Sequence, residues 1–284
     1  MSDRSFSREL WNERLLIYSN RMSGSSLLAP GAGQEVSRPP RVLDDAVVAS
    51  TLRKIVRGLP GCRRSSVSYC VRSTLASWLA EQAMAISHEP GARVLDFGCS
   101  DRRHEPLFTS VGAAYVGFDG PWNRAADVIG NPVAVPTANA SFDVVLCTQV
   151  LEHLPDPAAA VRELRRIVRP GGRVLASTHG TSVYHPSPLD LWRWTQPGLE
   201  KLFIDNADWA SVSVEPAQGT AATTAMLLAH FIDLTFKRLR LRPLAVPAVF
   251  CLNLAAETLD RTIPRLRQPI PGSLTATFQV EARA

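Results

Sequence analysis

Lysine is nearly missing from this chain. Lys54, Lys201 and Lys237 are the only three, so the formal net charge of +5 rests on arginine. No Lys/Arg run is long enough to follow a phosphate backbone, which argues against a nucleic-acid groove and leaves a solvated basic surface. The five cysteines (Cys62, Cys70, Cys99, Cys147, Cys251) are an odd number in a long chain. They do not make a disulfide framework, and the expected compartment is reducing. Residues near the N-terminus lack the continuous apolar core of a secretory signal, and no segment is expected to span a bilayer. With 45% hydrophobic and 20% charged residues over 284 positions, the composition suits one large globular α/β domain or two smaller ones.

What the chain does have is concentrated at Arg93-Val-Leu-Asp-Phe-Gly-Cys-Ser-Asp-Arg-Arg103. Val94 and Leu95 suit a buried strand. Asp96-Phe97-Gly98-Cys99-Ser100 is a small-residue turn where backbone can approach a ligand closely. A second strand, Ala114 to Phe118, again ends on an acid, Asp119. A strand–loop–helix–strand–acid unit places loop and acid on one edge of a parallel sheet, where a nucleoside-type ligand can be held. The loop lacks the G-x-G-x-x-G run that seats a pyrophosphate on a helix N-terminus. Asp96 would repel a pyrophosphate but could receive the ammonium of a bound amino acid, which argues against a nicotinamide dinucleotide.

Further motifs follow in order: Ser141-Phe-Asp-Val-Val145, Leu151-Glu-His-Leu-Pro-Asp-Pro157, Arg169-Pro-Gly-Gly172 and Tyr184-His-Pro-Ser-Pro188. Together with Asp96-x-Gly98-Cys99 and Tyr115-Val-Gly-Phe-Asp119, their order resembles the class I S-adenosylmethionine-dependent methyltransferases, of the type 11 kind, over about residues 67–217. The resemblance implies an α/β fold with a doubly wound, seven-stranded, mostly parallel, Rossmann-like sheet whose last strand is antiparallel. It implies S-adenosyl-L-methionine as cofactor, held by Asp96, Gly98, Cys99, Ser100, Asp119, Asn131, Pro132, Val133, Thr148 and Gln149. Where the family usually has glycine this chain has Ser100, which costs about 1 kcal/mol if that position needs a positive φ. Asn131 stands where the family commonly has an acid; its amide can accept from an exocyclic amine or simply turn the chain before Pro132.

The acceptor side is expected on the loops after the fourth and fifth strands. Asn/Asp-Pro-Pro-Tyr/Phe and a Pro-Cys nucleophile are both absent, which argues against DNA base methylation. That leaves oxygen or nitrogen of a smaller acceptor; a small molecule, or a glycan- or lipid-linked one, methylated at oxygen, is the expectation. A hydroxyl gains from a general base, for which His185 is the first candidate and His153 the second. Either could instead cap a turn. Trp192 and Trp194 would point oppositely if extended, so that at most one would line the pocket. No metal ligands are assigned. A scaffold that binds the cofactor without turnover is the alternative function.

Along the chain, residues 1–66 read as an irregular N-terminal extension, with a helix from Glu9 to Tyr18, a linker from Ser23 to Pro40, and a helix capped by Asp44 or Asp45. The methyltransferase domain is expected over 67–284. It carries a helical insertion at about 219–272, in which two apolar stretches flank Lys237, Arg238, Arg240 and Arg242. Prolines 243 and 247 are expected to interrupt the second stretch. Such an insertion suits an anionic membrane or a lipid-linked acceptor, or else plain packing as an α-hairpin or a dimer surface. The expected location is the cytoplasm, with peripheral contact at the inner face of the membrane as the open variant.

Overall fold

The computed structural model describes residues 44–89, 91–186 and 189–284, which belong to a compact unit, Arg41–Ala284. The expected helix at Glu9–Tyr18 and the Ser23–Pro40 linker lie outside the described residues. Seven strands form one sheet: β1 (Arg93–Phe97), β2 (Ala114–Asp119), β3 (Val128–Ile129), β4 (Phe142–Thr148), β5 (Val168–His179), β6 (Ser211–Pro216) and β7 (Thr277–Arg283). Their spatial order is β3-β2-β1-β4-β5-β7-β6, parallel except for β7, which runs antiparallel to both β5 and β6. This is the doubly wound sheet expected, with the reversal of strand direction at its last member.

The central strands are buried on both faces, as parallel strands between helices must be. Val94, Leu95, Val145 and Leu146 are fully shielded, and two apolar clusters occupy the two faces. One face is covered by α4 (Pro157–Ile167) and α5 (Gln196–Ile204), which contribute Leu164, Ile167, Leu199 and Phe203. Asp156 and Thr195 cap them by accepting from Ala159 N (2.9 Å) and Gly198 N (3.3 Å). The other face is covered by α1 (Asp45–Gly58), α2 (Tyr69–Ile86) and the short α3 (Glu105–Thr109). Asp44 is the cap of α1, and Val48 and Leu52 of that helix enter the same core as Leu79 and Val94. Residues 44–66, grouped with the extension on sequence grounds, thus help to close the sheet.

β5 begins at Val168, ahead of Pro170-Gly171-Gly172, because Val168 already pairs with Phe142 and a bulge absorbs the turn before Arg173 meets Val144. The insertion forms a hairpin of α6 (Thr220–Arg238) and α7 (Arg242–Thr262). Pro243 and Pro247 do not interrupt it. Pro243 sits in the first turn, where its missing N–H costs nothing, and Pro247 is accommodated one turn later. As a result Pro243–Thr262 is, by length and mean hydropathy (1.2), sufficient to cross a membrane, contrary to the expectation that no segment would be.

Candidate active site

At the C-terminal edge of the parallel strands lies a cavity of about 390 Å³, the place where α/β sheets of this kind bind ligands. One wall is the loop after β1. Gly98 has φ +81°, and a Cβ there would stand 2.5 Å from Val150 Cγ2, so only glycine fits. Ser100 (φ +48°) and Arg102 (φ +55°) are also left-handed. Serine therefore does stand where glycine would be relaxed. Arg102 fixes the loop through Glu105 (Nε to Oε2, 2.9 Å) and Asp127 (Nη1 to Oδ2, 2.6 Å).

Asp96 is almost completely buried at the end of β1. Its Oδ2 accepts from the Tyr115 hydroxyl, whereas Oδ1 has no protein partner. Burial pushes its carboxyl up to about 6. A buried, half-satisfied carboxylate on a cavity wall is a receptor for a cation, which is the feature an amino-acid ammonium group requires.

The sequence-predicted cofactor residues separate into two groups. Asp96, Gly98, Cys99, Ser100, Thr148 and Gln149 line the cavity together; Asp119, Asn131, Pro132 and Val133 do not. Asp119 stands beside the loop and holds it. Its Oδ2 accepts from Ser100 N (2.9 Å) and Asn123 Nδ2 (2.8 Å), and its Oδ1 from Gly120 N (2.7 Å). Asn131 accepts from Val133 N (3.0 Å), an Asx turn that satisfies the amide oxygen locally.

The opposite wall is rich in histidine. Of the six histidines in the chain, five line this cavity: His104, His153, His179, His185 and His230. His185 lies between two others, with ring centroids 5.1 Å from His153 and 4.8 Å from His179, both edge-on. His153 belongs to a short 3₁₀ turn, Leu151–His153, and its Nδ1 contacts the Leu189 carbonyl oxygen. That oxygen can only accept, so the Nδ1 carries the proton and Nε2 is left as an acceptor. Burial holds His153 below its usual range, with the Leu189 contact opposing. Burial, followed by the neighbouring His185, lowers His179 to about 3. Both rings are therefore neutral near neutral pH.

Behind them lies Glu152, fully buried, with Oε2 accepting from Thr178 Oγ1 (2.8 Å) and burial lifting its carboxyl to about 7. Glu152 Oε1 and His179 Nδ1 face each other at 3.3 Å without the alignment of a hydrogen bond. Glu152, His179 and His185 offer ligand atoms within 4.8 Å of one another, a donor set that could hold a divalent cation. Asp190 braces the rim: it binds Arg193, which drives its carboxyl well below the ordinary range, and it accepts from His185 N (3.0 Å).

Sequence reasoning named His153 and His185 but not His104 or His230, which come from α3's N-cap and from the insertion. Leu59, Pro60 and Cys62 also line the cavity, from a stretch assigned to the extension. At most one tryptophan is expected to line the cavity, and neither does. Trp192 and Trp194 do not point apart; their rings stack at 5.8 Å. The chain there is not an extended strand, and Trp192 Nε1 donates to the Leu154 carbonyl (2.8 Å), which swings that ring over its neighbour.

A family described as "Methyltransferase domain" matches residues 71–210. The ubiquinone biosynthesis O-methyltransferase of Pseudomonas aeruginosa strain PAO1 is 35% identical over 117 residues, covering 36% of this chain and 49% of that one. The enzyme of the same name from Neisseria meningitidis is 38% identical over 105 residues, covering 31% and 44%. The chain thus spans about half the length of the curated relatives it matches. A putative sarcosine dimethylglycine methyltransferase from Galdieria sulphuraria has a similar solved structure, with TM-score 0.46 and 14% identity over 75% of this chain and 86% of that one. A likeness at that level assigns nothing by itself. The family match and the ordered motifs do: the chain carries a class I S-adenosylmethionine-dependent methyltransferase domain.

Proposed function

We propose that this protein transfers a methyl group from S-adenosylmethionine to a hydroxyl oxygen of a small or lipid-linked acceptor. The observation that carries the reading is the pairing, across one cavity, of a cation-receiving wall (Asp96, Gly98, Ser100) with a wall of histidines that includes His153. The names of the curated relatives, O-methyltransferases of ubiquinone biosynthesis, point to the same acceptor atom.

The cofactor, when bound, supplies an electrophilic methyl on a sulfonium, so the protein needs mainly to position the acceptor and exclude water. Asp96 Oδ1 would receive the ammonium, and the Gly98–Ser100 backbone would lie against the amino-acid portion. Asp119 keeps that loop in place from behind. On the other wall, His153 Nε2 takes the hydroxyl proton as the acceptor oxygen forms its new bond, because Nδ1 is committed to Leu189. His185 packs edge-on against it, and His179 edge-on against His185.

The test is a methyl-release assay against phenolic and lipid-linked hydroxyl acceptors, with His153→Ala and His185→Ala compared at saturating cofactor. Loss of about 100-fold in turnover for His153→Ala, with cofactor affinity kept, is expected of a general base. Cofactor binding with no turnover on any hydroxyl acceptor would leave the scaffold reading standing instead.

A further inference from the structure

Twenty large apolar side chains are exposed among the described residues, and thirteen of them fall between Leu228 and Leu274. Ten of the thirteen belong to the α6–α7 hairpin, and Ile263, Ile270 and Leu274 follow it. Phe231 is 65% exposed, Leu239 61% and Leu244 58%, with Leu228, Leu234 and Phe250 beside them. An apolar surface of this extent on a soluble domain marks an interaction site. The hairpin turn reads Lys237-Arg-Leu-Arg-Leu-Arg-Pro-Leu244, alternating cation and apolar residue, and Asp233 is the sole acid from Ala225 to Ala256.

The other end of the hairpin is tied to the domain by polar contacts. Asp260 caps α6 by accepting from Ala221 N (3.1 Å) and Ala222 N (2.9 Å). Glu257 binds Arg64 (2.8 Å) and the Tyr69 hydroxyl (3.1 Å), and Asn253 Nδ2 donates to the Arg64 (2.7 Å) and Ser66 (3.0 Å) carbonyls. α7 is long enough to span a bilayer, but these contacts bind its second half to the protein. The apolar and basic half is the tip.

We propose that this tip is a membrane-docking wedge, whose cations meet the headgroups of an anionic bilayer while Phe231, Leu234, Leu239, Leu241 and Leu244 enter the acyl boundary. Charge decides between this occupant and a second copy of the chain. A two-fold contact through the tip would oppose like charges, whereas an anionic surface attracts all of them. The placement has a use: Met226 and His230 of α6 line the cavity, so the docked helix also borders the site. Delivery of a lipid-linked acceptor rests on the proposed function; the docking does not.

The experiment is vesicle flotation of the full chain with equimolar phosphatidylglycerol and phosphatidylcholine, and with phosphatidylcholine alone. Binding is expected to the anionic vesicles only, weakened by salt. Lys237→Glu with Arg238→Glu and Arg240→Glu should lower partitioning on the order of a hundredfold. Leu239→Ser with Leu241→Ser should lower it even at low salt. S-adenosylhomocysteine affinity, unchanged in both variants, reports that they are folded and that the cofactor site is a separate matter. No binding by the wild-type chain overturns the proposal. So does binding that ignores both variants, or a dimer in sedimentation that Phe231→Ser dissolves while vesicles are still not bound.

Discussion

Replacing Asp96 by asparagine should make this protein more stable and worse at binding its cofactor. Asn keeps the shape and can still accept from Tyr115, but it removes a charge held in a buried site. The carboxyl moves from its ordinary 3.8 to about 6, and burial is the leading cause. That difference corresponds to about 3 kcal/mol of penalty on the ionised form in the folded state. The folded-state value is raised, so the unfolded chain ionises first. Wild-type stability falls as pH rises from about 4 to 6 and stays lowered above that window. For a domain of this size about 2–4 °C accompanies each kcal/mol, so Asp96→Asn should melt about 6 °C or more above wild type near pH 7.5. The advantage should shrink towards pH 4, where wild type is protonated as well. Calorimetric titration with S-adenosylhomocysteine near neutral pH should show at least a tenfold loss, since a charge-assisted contact contributes about 1.5–3 kcal/mol. A variant that melts below wild type at neutral pH would show that the fold uses the charge, and the reasoning would fail. Unchanged affinity would refute the ammonium assignment.

Three further outcomes follow from the site. Asp119→Ala should loosen the loop after β1, because Ser100 N and Gly120 N lose their acceptor, and should weaken cofactor binding at least about tenfold without unfolding; titration with S-adenosylhomocysteine reads it. Ser100→Gly should leave affinity unchanged or slightly tighter, with stability within about 1 kcal/mol, since relief of the +48° backbone is offset by unfolded-state entropy; a large loss of affinity would mean that the hydroxyl touches ligand. If His153 is the base, burial places the acid limb of the turnover–pH profile below the ordinary histidine value of 6.5. Activity should then persist on acidification through that value and fall beneath it, and His153→Ala should erase the limb.

The sheet was legible from the sequence because its signals are local. Val94-Leu95 and Val144–Cys147 are apolar runs ended by small or acidic residues, and Asp44, Asp156 and Thr195 cap helices within three residues of themselves. The cofactor loop was legible as a turn from Asp96 and Gly98, whereas its bracing by the Phe118 carbonyl and Asp119 was not. The histidine wall was only half legible. His153 and His185 stand out in short motifs, but their meeting with His179, His104 and His230 depends on four separate elements converging at one sheet edge. Asp119 and Asn131 lie outside the lining of this cavity and accept from nearby backbone N–H groups, contacts that spacing alone does not reveal. The stacking of Trp192 on Trp194 was not legible, because the indole of Trp192 is held by the Leu154 carbonyl, far off in the sequence.

The placement of β7 has a consequence for how this chain must be made. β6 touches the sheet only through β7, and β7 pairs with β5, whose Val174 faces Ala282 across more than a hundred positions of sequence. The hairpin of α6 and α7 must be synthesised and set aside before that strand arrives. Until residues 277–283 emerge, β5 presents an open edge and β6 has no partner, a state exposed to wrong pairing and aggregation. A stop codon anywhere between β6 and β7 would therefore delete one strand from the chain but two from the sheet.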